Sequence, residues 1–292
     1  MTGEAVRLRV PVTETIALSA FPRGLEELRR TPFLLVHGLA SNARMWDGVA
    51  EELARLGHPS IAIDQRGHGR ASKPDDGYDF ATLTNDLLAV IDEMDIDPPI
   101  VAGQSWGGNV VMELAARYPQ RIRGVVGVDG GTIELSAVMP EWEQAATVLA
   151  PPDLRGTPVT DLEAWVRQAH PDWPESGIVG TLANFQVLGD GTVAPWLSRE
   201  HHMTILRQLW EHHPTRLYPR IRVPVLLQSA EPTTEDPART EMRRASVESA
   251  RQAIPRATVE WFTPADHDLH AQFPERCARS LADFAASIAS AP

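Results

Sequence analysis

The chain has 292 residues, 43% of them hydrophobic and 23% charged, with a formal net charge of −12. That balance suits one large core with room for an inserted subdomain and excludes a disordered chain. The net negative field repels phosphate, so neither nucleic acid nor an anionic membrane is an expected partner. A lone cysteine, Cys277, leaves no disulfide framework. No stretch is apolar for long enough to span a bilayer or to act as a signal peptide, so a cytoplasmic location is expected.

Residues 5–11 and 14–20 alternate apolar and polar side chains, as antiparallel edge strands do. Residues 31–36 are an apolar run that ends in His37-Gly38-Leu39-Ala40, a buried strand followed by a glycine that lets the chain turn beneath a ligand, with the Leu39 amide free to donate to it. Helical apolar spacing fills 45–56, with Gly57 as a stop. The strand over 59–63 leads into a charged run, 64–74, in which Asp64 and His68 read as parts of a structural turn. An amphipathic helix over 80–94 follows.

Residues 100–104 form a short apolar strand that breaks into Gly103-Gln104-Ser105-Trp106-Gly107 before helical spacing resumes at 109–117. Strand, tight turn and helix are the context in which Gly-x-Ser-x-Gly presents a nucleophilic serine. The Trp106 amide and the helix start offer donors and positive dipole to a developing oxyanion. The next strand, 123–128, ends in Asp129, which therefore lies on the carboxyl edge of the sheet, where ligands of open α/β sheets bind.

From 132 to 219 the strand–helix alternation lapses; helical patterns cover 141–149, 160–169 and 200–210. Five of the eight tryptophans fall in this segment, including Trp142 and Trp165, which are expected to line an apolar pocket. His201-His202 and His212-His213 do not read as a metal site, because adjacent histidines on a helix face different ways and no third ligand converges. The sheet resumes with strands at 221–227 and 257–262 around a helix at 238–254, and a helix over 273–288 closes the chain. His267, in the loop after the last strand, is free to point across the sheet edge at Ser105, and its ordinary pKa suits a general base. His270 is placed with Gly38, Trp142 and Trp165 beside the substrate pocket, in a packing role.

His37-Gly38, the 64–74 turn, Gly103-Gln104-Ser105-Trp106-Gly107-Gly108 and the run from Asp266 through His267, Asp268 and His270 to Pro274 occur in the order found in the α/β-hydrolase superfamily, which the chain resembles along nearly its whole length outside 132–219. The resemblance implies a mostly parallel sheet flanked by helices, with 1–131 and 220–292 as core and 132–219 as a helical cap. It also implies a Ser-acid-His triad with no cofactor. Around Trp106 the chain is similar to haloalkane dehalogenases and epoxide hydrolases, whose nucleophile is an aspartate where this chain has Ser105. The expected activity is hydrolysis of a carboxylic ester or lactone of apolar character, with Ser105 as nucleophile, His267 as base, and the amides of Leu39 and Trp106 as oxyanion donors. Acyl transfer or thioester cleavage in a biosynthetic pathway, and slow-turnover ligand reception on the same fold, are the alternatives; oligomeric state stays open.

The triad acid is where the chain departs from the commonest family pattern. The slot nine residues beyond Pro224 holds Thr233, with Glu231 and Asp236 on either side. Asp129, 24 residues past Ser105, occupies the position that haloalkane dehalogenases and some lactonases use, and is the expected acid ahead of Glu231.

Overall fold

The apolar runs become the strands of one sheet in the computed structural model, which describes residues 6–25, 30–96, 98–232 and 236–290. The first part of the chain supplies β1 (Leu8–Pro11), β2 (Ala17–Arg23), β3 (Phe33–Val36), α1 (Asp47–Arg55), β4 (Ser60–Asp64), α2 (Phe80–Glu93), β5 (Ile100–Gln104), α3 (Trp106–Arg117) and β6 (Gly124–Val128). Between β6 and the next long strand lie α4 (Leu135–Val138), α5 (Trp142–Val148), α6 (Val159–Ala169), α7 (Glu175–Leu182), the antiparallel pair β7 (Phe185–Val187) and β8 (Val193–Pro195), and α8 (Arg199–Glu211). The chain then returns through β9 (Val225–Ala230), α9 (Pro237–Ala253), β10 (Ala257–Phe262), α10 (Leu269–Gln272) and α11 (Pro274–Ala289).

The sheet has eight strands in the order β1-β2-β4-β3-β5-β6-β9-β10. All neighbours from β4 to β10 pair in parallel, while β1 and β2 are antiparallel additions. Strands β3 to β6 and β9 are buried along their whole length, as strands covered by helices on both faces must be. Alternate residues feed two cores. Leu34, Val36 and Val101 pack with α2, α3 and α9, while Phe33, Leu35 and Ala102 pack with α1 and α11. Cys277 sits in the second core, its thiol donating to Gln228 Oε1 at 3.2 Å.

One expected edge strand moves inward. The alternation over 14–20 corresponds to β2, which pairs with β1 on one side and β4 on the other. Its first four residues are buried, because β4 needs a partner where the parallel order ends. Only β1 is left at that margin of the sheet.

The segment between β6 and β9 has a small core of its own, in which Leu162, Val166, Trp173 and Ile178 pack against Met45 and Ala271. Both of its ends are tied to the same helix. Asn109 of α3 accepts from Gly131 N at 3.0 Å and donates to Ile133 O at 2.7 Å and to His212 Nδ1 at 3.1 Å. His212 in turn donates from Nε2 to Glu113 Oε2 at 3.1 Å. Next to it, His213 and Thr215 donate to the two carboxylate oxygens of Glu134, at 2.8 and 2.7 Å. Among the described residues no helix is long and apolar enough to cross a membrane.

Candidate active site

Because the central strands are parallel, their carboxyl ends line one edge, and the loops that leave it carry His37, Ser105, Asp129, Glu231 and His267. Ser105 is the residue between β5 and α3, with φ 52° and ψ −121°. Its amide donates to Val128 O at 3.0 Å, and its carbonyl accepts from Gly108 N at 2.9 Å. The turn is this sharp only because Gly103 lacks a side chain; a Cβ there would run into the carbonyl of Gly107. Three of the four non-glycine residues with positive φ among the described residues, Ala40, Ser105 and Asp129, stand on this edge. Such conformations cost roughly 1–3 kcal/mol each and persist where surrounding contacts over-determine them.

Asp129 follows β6 and is held on every side. Its amide donates to Gln228 O at 2.7 Å and its Oδ1 accepts from Ala230 N at 3.0 Å. Its Oδ2 accepts from His267 Nδ1 at 2.6 Å, and Arg243 Nη1 lies 3.0 Å from Oδ1 and 2.8 Å from Oδ2. The carboxylate is 4% exposed. Burial by itself would raise its pKa, but the His267 hydrogen bond and charge, Arg243 and the Ala230 amide outweigh it, and the group titrates below its ordinary value.

His267 reaches Asp129 from the loop after β10 while half of its side chain, 50%, stays open to solvent. The Gln104 side-chain amide donates to its backbone carbonyl at 3.4 Å. Desolvation of the ring pulls its pKa down, and Arg243 adds to that. The hydrogen bond and charge of Asp129, with the charge of Asp268, more than compensate, so the imidazole titrates above its ordinary 6.5. The structure thus brings Asp129 and His267 together. Glu231 goes elsewhere, accepting from Thr263 Oγ1 at 2.9 Å and pairing with Arg244. Asp236 caps α9 through the Ala238 amide at 2.9 Å, and the count that lands on Thr233 falls outside the described residues.

The loop after β3 passes beside Ser105. A Cβ on Gly38 would lie 3.0 Å from Ser105 Cβ and overlap the Gln104 side chain. Beneath the loop, His37 Nε2 accepts from Gln65 N at 3.1 Å, and burial drives its pKa down to about 4. His68 Nε2 accepts from Ala40 N at 3.3 Å, and Asp64 accepts from Ala43 N at 2.9 Å and Arg70 N at 2.8 Å. The amides of Leu39 and Trp106 have no acceptor among the described residues, and that of Trp106 is the first of α3, where helix geometry supplies none.

The remaining expected residues are dispersed. Trp142 packs edge-on to Trp210 with the Arg207 guanidinium over its face, and Trp165 is 56% exposed on α6. Neither lines the cavity that opens beside the Leu39 loop. That cavity, of about 750 Å³, has Trp196, Phe185, Leu197, Met203, Ala40 and Ser41 in its wall. Trp165 sits at the flank of α6, because the helix turns Leu162 and Val166 into the small core and position 165 lies roughly 80° around the helix from their mean direction. A larger groove of about 1010 Å³ runs between α11 and the Trp173 segment, away from Ser105 and His267. His270 is buried against Trp46 with both ring nitrogens unpartnered and its pKa down to about 3. His201, His202, His212 and His213 turn to Asp75, the Leu149 carbonyl, Glu113 and Glu134 respectively. Sequence reasoning missed Arg243. Its only signal was an arginine one position before another in a helix with a polar exposed face.

A family model described as the alpha/beta hydrolase fold matches residues 31–168. The chain is 35% identical over 97 residues to epoxide hydrolase B of Mycobacterium tuberculosis, covering 32% of this chain and 27% of that one. It is 33% identical over 96 residues to 2-(acetamidomethylene)succinate hydrolase of Mesorhizobium japonicum, covering 33% and 34%. The matched segments thus span about a third of the length of these curated relatives. The crystal structure of an E-2-(acetamidomethylene)succinate hydrolase superposes with a TM-score of 0.76 at 23% identity, over 96% of this chain and 99% of that one, a likeness of fold. With the eight-stranded, mostly parallel sheet and the strand–serine–helix turn, these matches show that the chain has the α/β-hydrolase fold.

Proposed function

We propose that the protein is a serine hydrolase that cleaves an apolar carboxylic ester or lactone through an acyl-enzyme on Ser105, with residues 132–219 acting as a cap over the site. The observation that carries this reading is the 2.6 Å hydrogen bond from His267 Nδ1 to the buried carboxylate of Asp129, on the sheet edge that also presents Ser105. A hydrogen bond at Nδ1 fixes the tautomer that leaves Nε2 as the base. Nε2 removes the Ser105 proton as Oγ attacks the carbonyl carbon. The resulting oxyanion accepts from the Leu39 and Trp106 amides, aided by the positive end of α3. His267 then protonates the leaving alkoxide, and water, deprotonated by the same imidazole, releases the acid. The cavity beside the Leu39 loop supports an apolar acyl or ring group, since Trp196, Phe185, Leu197 and Met203 form much of its wall. A serine at position 105 favours an acyl intermediate over the alkyl-enzyme that an aspartate nucleophile forms.

Turnover of a short activated ester tests the reading. Ser105→Ala should lower kcat by several orders of magnitude with the fold retained, and an organophosphonate should label Ser105 and no other residue. Undiminished turnover in the alanine protein would end the acyl-enzyme proposal.

A further inference from the structure

The triad acid has a partner that the hydrolytic reading leaves unused. Arg243 projects from α9 and sets one guanidinium nitrogen against both oxygens of Asp129, at 3.0 and 2.8 Å. It is 26% exposed, whereas the carboxylate it meets is 4% exposed, so the pair lies at the inner end of a long side chain and not at the surface. Its neighbour Arg244 turns to Glu231. The two consecutive arginines thus hold apart the two carboxylates that leave adjacent strands β6 and β9. We propose that Arg243 is a positioning residue of the triad: it fixes the Asp129 carboxylate against His267 and tempers the negative charge that the imidazole feels. This rests on the assignment of His267 and Asp129 to the triad.

A carboxylate with one partner can rotate about its χ2 and lengthen the bond to His267. With Ala230 N on Oδ1, His267 on Oδ2 and Arg243 across both, rotation breaks at least two bonds at once. Charge works in the opposite direction to clamping. Asp129 and Asp268 both favour imidazolium, Arg243 opposes it, and the buried rings of His37 and His270 nearby are neutral at working pH because desolvation keeps their pKa values low. A guanidinium that stays charged at any accessible pH is suited to this duty. The enzyme thereby keeps a tightly held acid without making His267 so basic that it is protonated, and useless as a base, at neutral pH.

The test is a titration of His267 by NMR in the Ser105→Ala background, which needs no turnover, together with pH profiles of kcat/KM in otherwise native protein. Arg243→Gln and Arg243→Met should each raise the His267 titration and the acid limb of the profile by roughly one pH unit, the scale expected for removing a nearby like charge. Arg243→Lys, which keeps a point charge, should restore most of both. Arg244→Gln should leave the titration where it is. Either neutral variant suffices if the other does not fold. An unmoved His267 titration in a folded neutral variant, or a kcat loss that is uniform across pH and not repaired by lysine, would overturn the assignment. Because the titration is read without turnover, it separates failure of this proposal from failure of the acyl-enzyme mechanism.

Discussion

Two sites at the carboxyl edge of the sheet carry an aspartate and a histidine, one from the end of β4 and the loop after it, the other from the loops after β6 and β10, and they do opposite things with them. After β4, Asp64 and His68 turn inward. Asp64 is spent on the Ala43 and Arg70 amides, and His68 donates from Nδ1 to Arg66 O at 3.0 Å while Nε2 accepts from Ala40 N. Burial holds the His68 pKa well below the ordinary value and pushes that of Asp64 up. At the other site His267 keeps half of its surface and meets the Asp129 carboxylate, and its pKa rises. Residue types are the same in both places. What differs is whether the imidazole satisfies backbone amides in a dry interior or a carboxylate at a wet edge, and the proposed roles of the two sites rest on that difference.

The sharpest way to break the contrast is to remove each carboxylate in turn. Asp129→Asn should keep the fold and lower kcat by about 10⁴-fold, the scale of the handicap when a triad histidine loses the acid that sets its tautomer. A near-native Asp129→Asn enzyme beside a crippled Glu231→Gln one would move the acid to β9. Asp64→Ala should act on stability, costing about 2–4 kcal/mol by leaving two amides of a buried turn without an acceptor, read as a lower midpoint in urea. If kcat fell instead, with the midpoint unchanged, Asp64 would belong with Asp129.

Proton affinity sharpens the same contrast. His267 must be neutral to act as base and its pKa is raised, so kcat/KM should fall as pH drops through a value above 6.5. A limb well below that value would show that the Asp129 contact does not govern the working imidazole. The smallest effect is expected at Glu231: because it is engaged by Thr263 and Arg244 and not by His267, Glu231→Gln should change kcat by less than about twofold, as substitutions away from the reacting groups do.

Local chemistry was legible in the sequence where it depends on neighbours in the chain. Gly103, Ser105 and Gly107 define the turn by themselves, and the apolar runs of β3, β5 and β6 announce strands covered on both faces. That Asp129 reaches the carboxyl edge, where it meets His267, was legible in where its strand ends. Features that depend on how distant segments are phased were not legible. Arg243 meets Asp129 across 114 residues, and nothing in α9 singles it out from Arg239 or Arg244. Helix α7 was missed because Gly177 and Gly180 look like helix breakers. They are there for space, since a Cβ at 180 would come within 2.9 Å of Arg44 O and one at 177 within 3.0 Å of Ala271 O. Tryptophan density drew attention to Trp165, which is at the surface, and away from Trp196, which is at the cavity.

The tie at Asn109 has a consequence for how such a chain can change. Where an inserted stretch departs from and returns to one side chain of a helix, its ends are a fixed distance apart whatever lies between them, so lengthening or replacing the interior adds the slowly growing entropy of a longer closed loop to the loss of the contacts with Met45 and Ala271. Ser105, four residues upstream in the turn that opens this helix, need not register the exchange. Residues 135–211 can therefore be treated as a cassette: if they cap the site as proposed, a transplant that keeps Asn109, Glu113, Glu134, His212 and His213 should alter which molecules enter while leaving the labelling of Ser105 by a small organophosphonate unchanged.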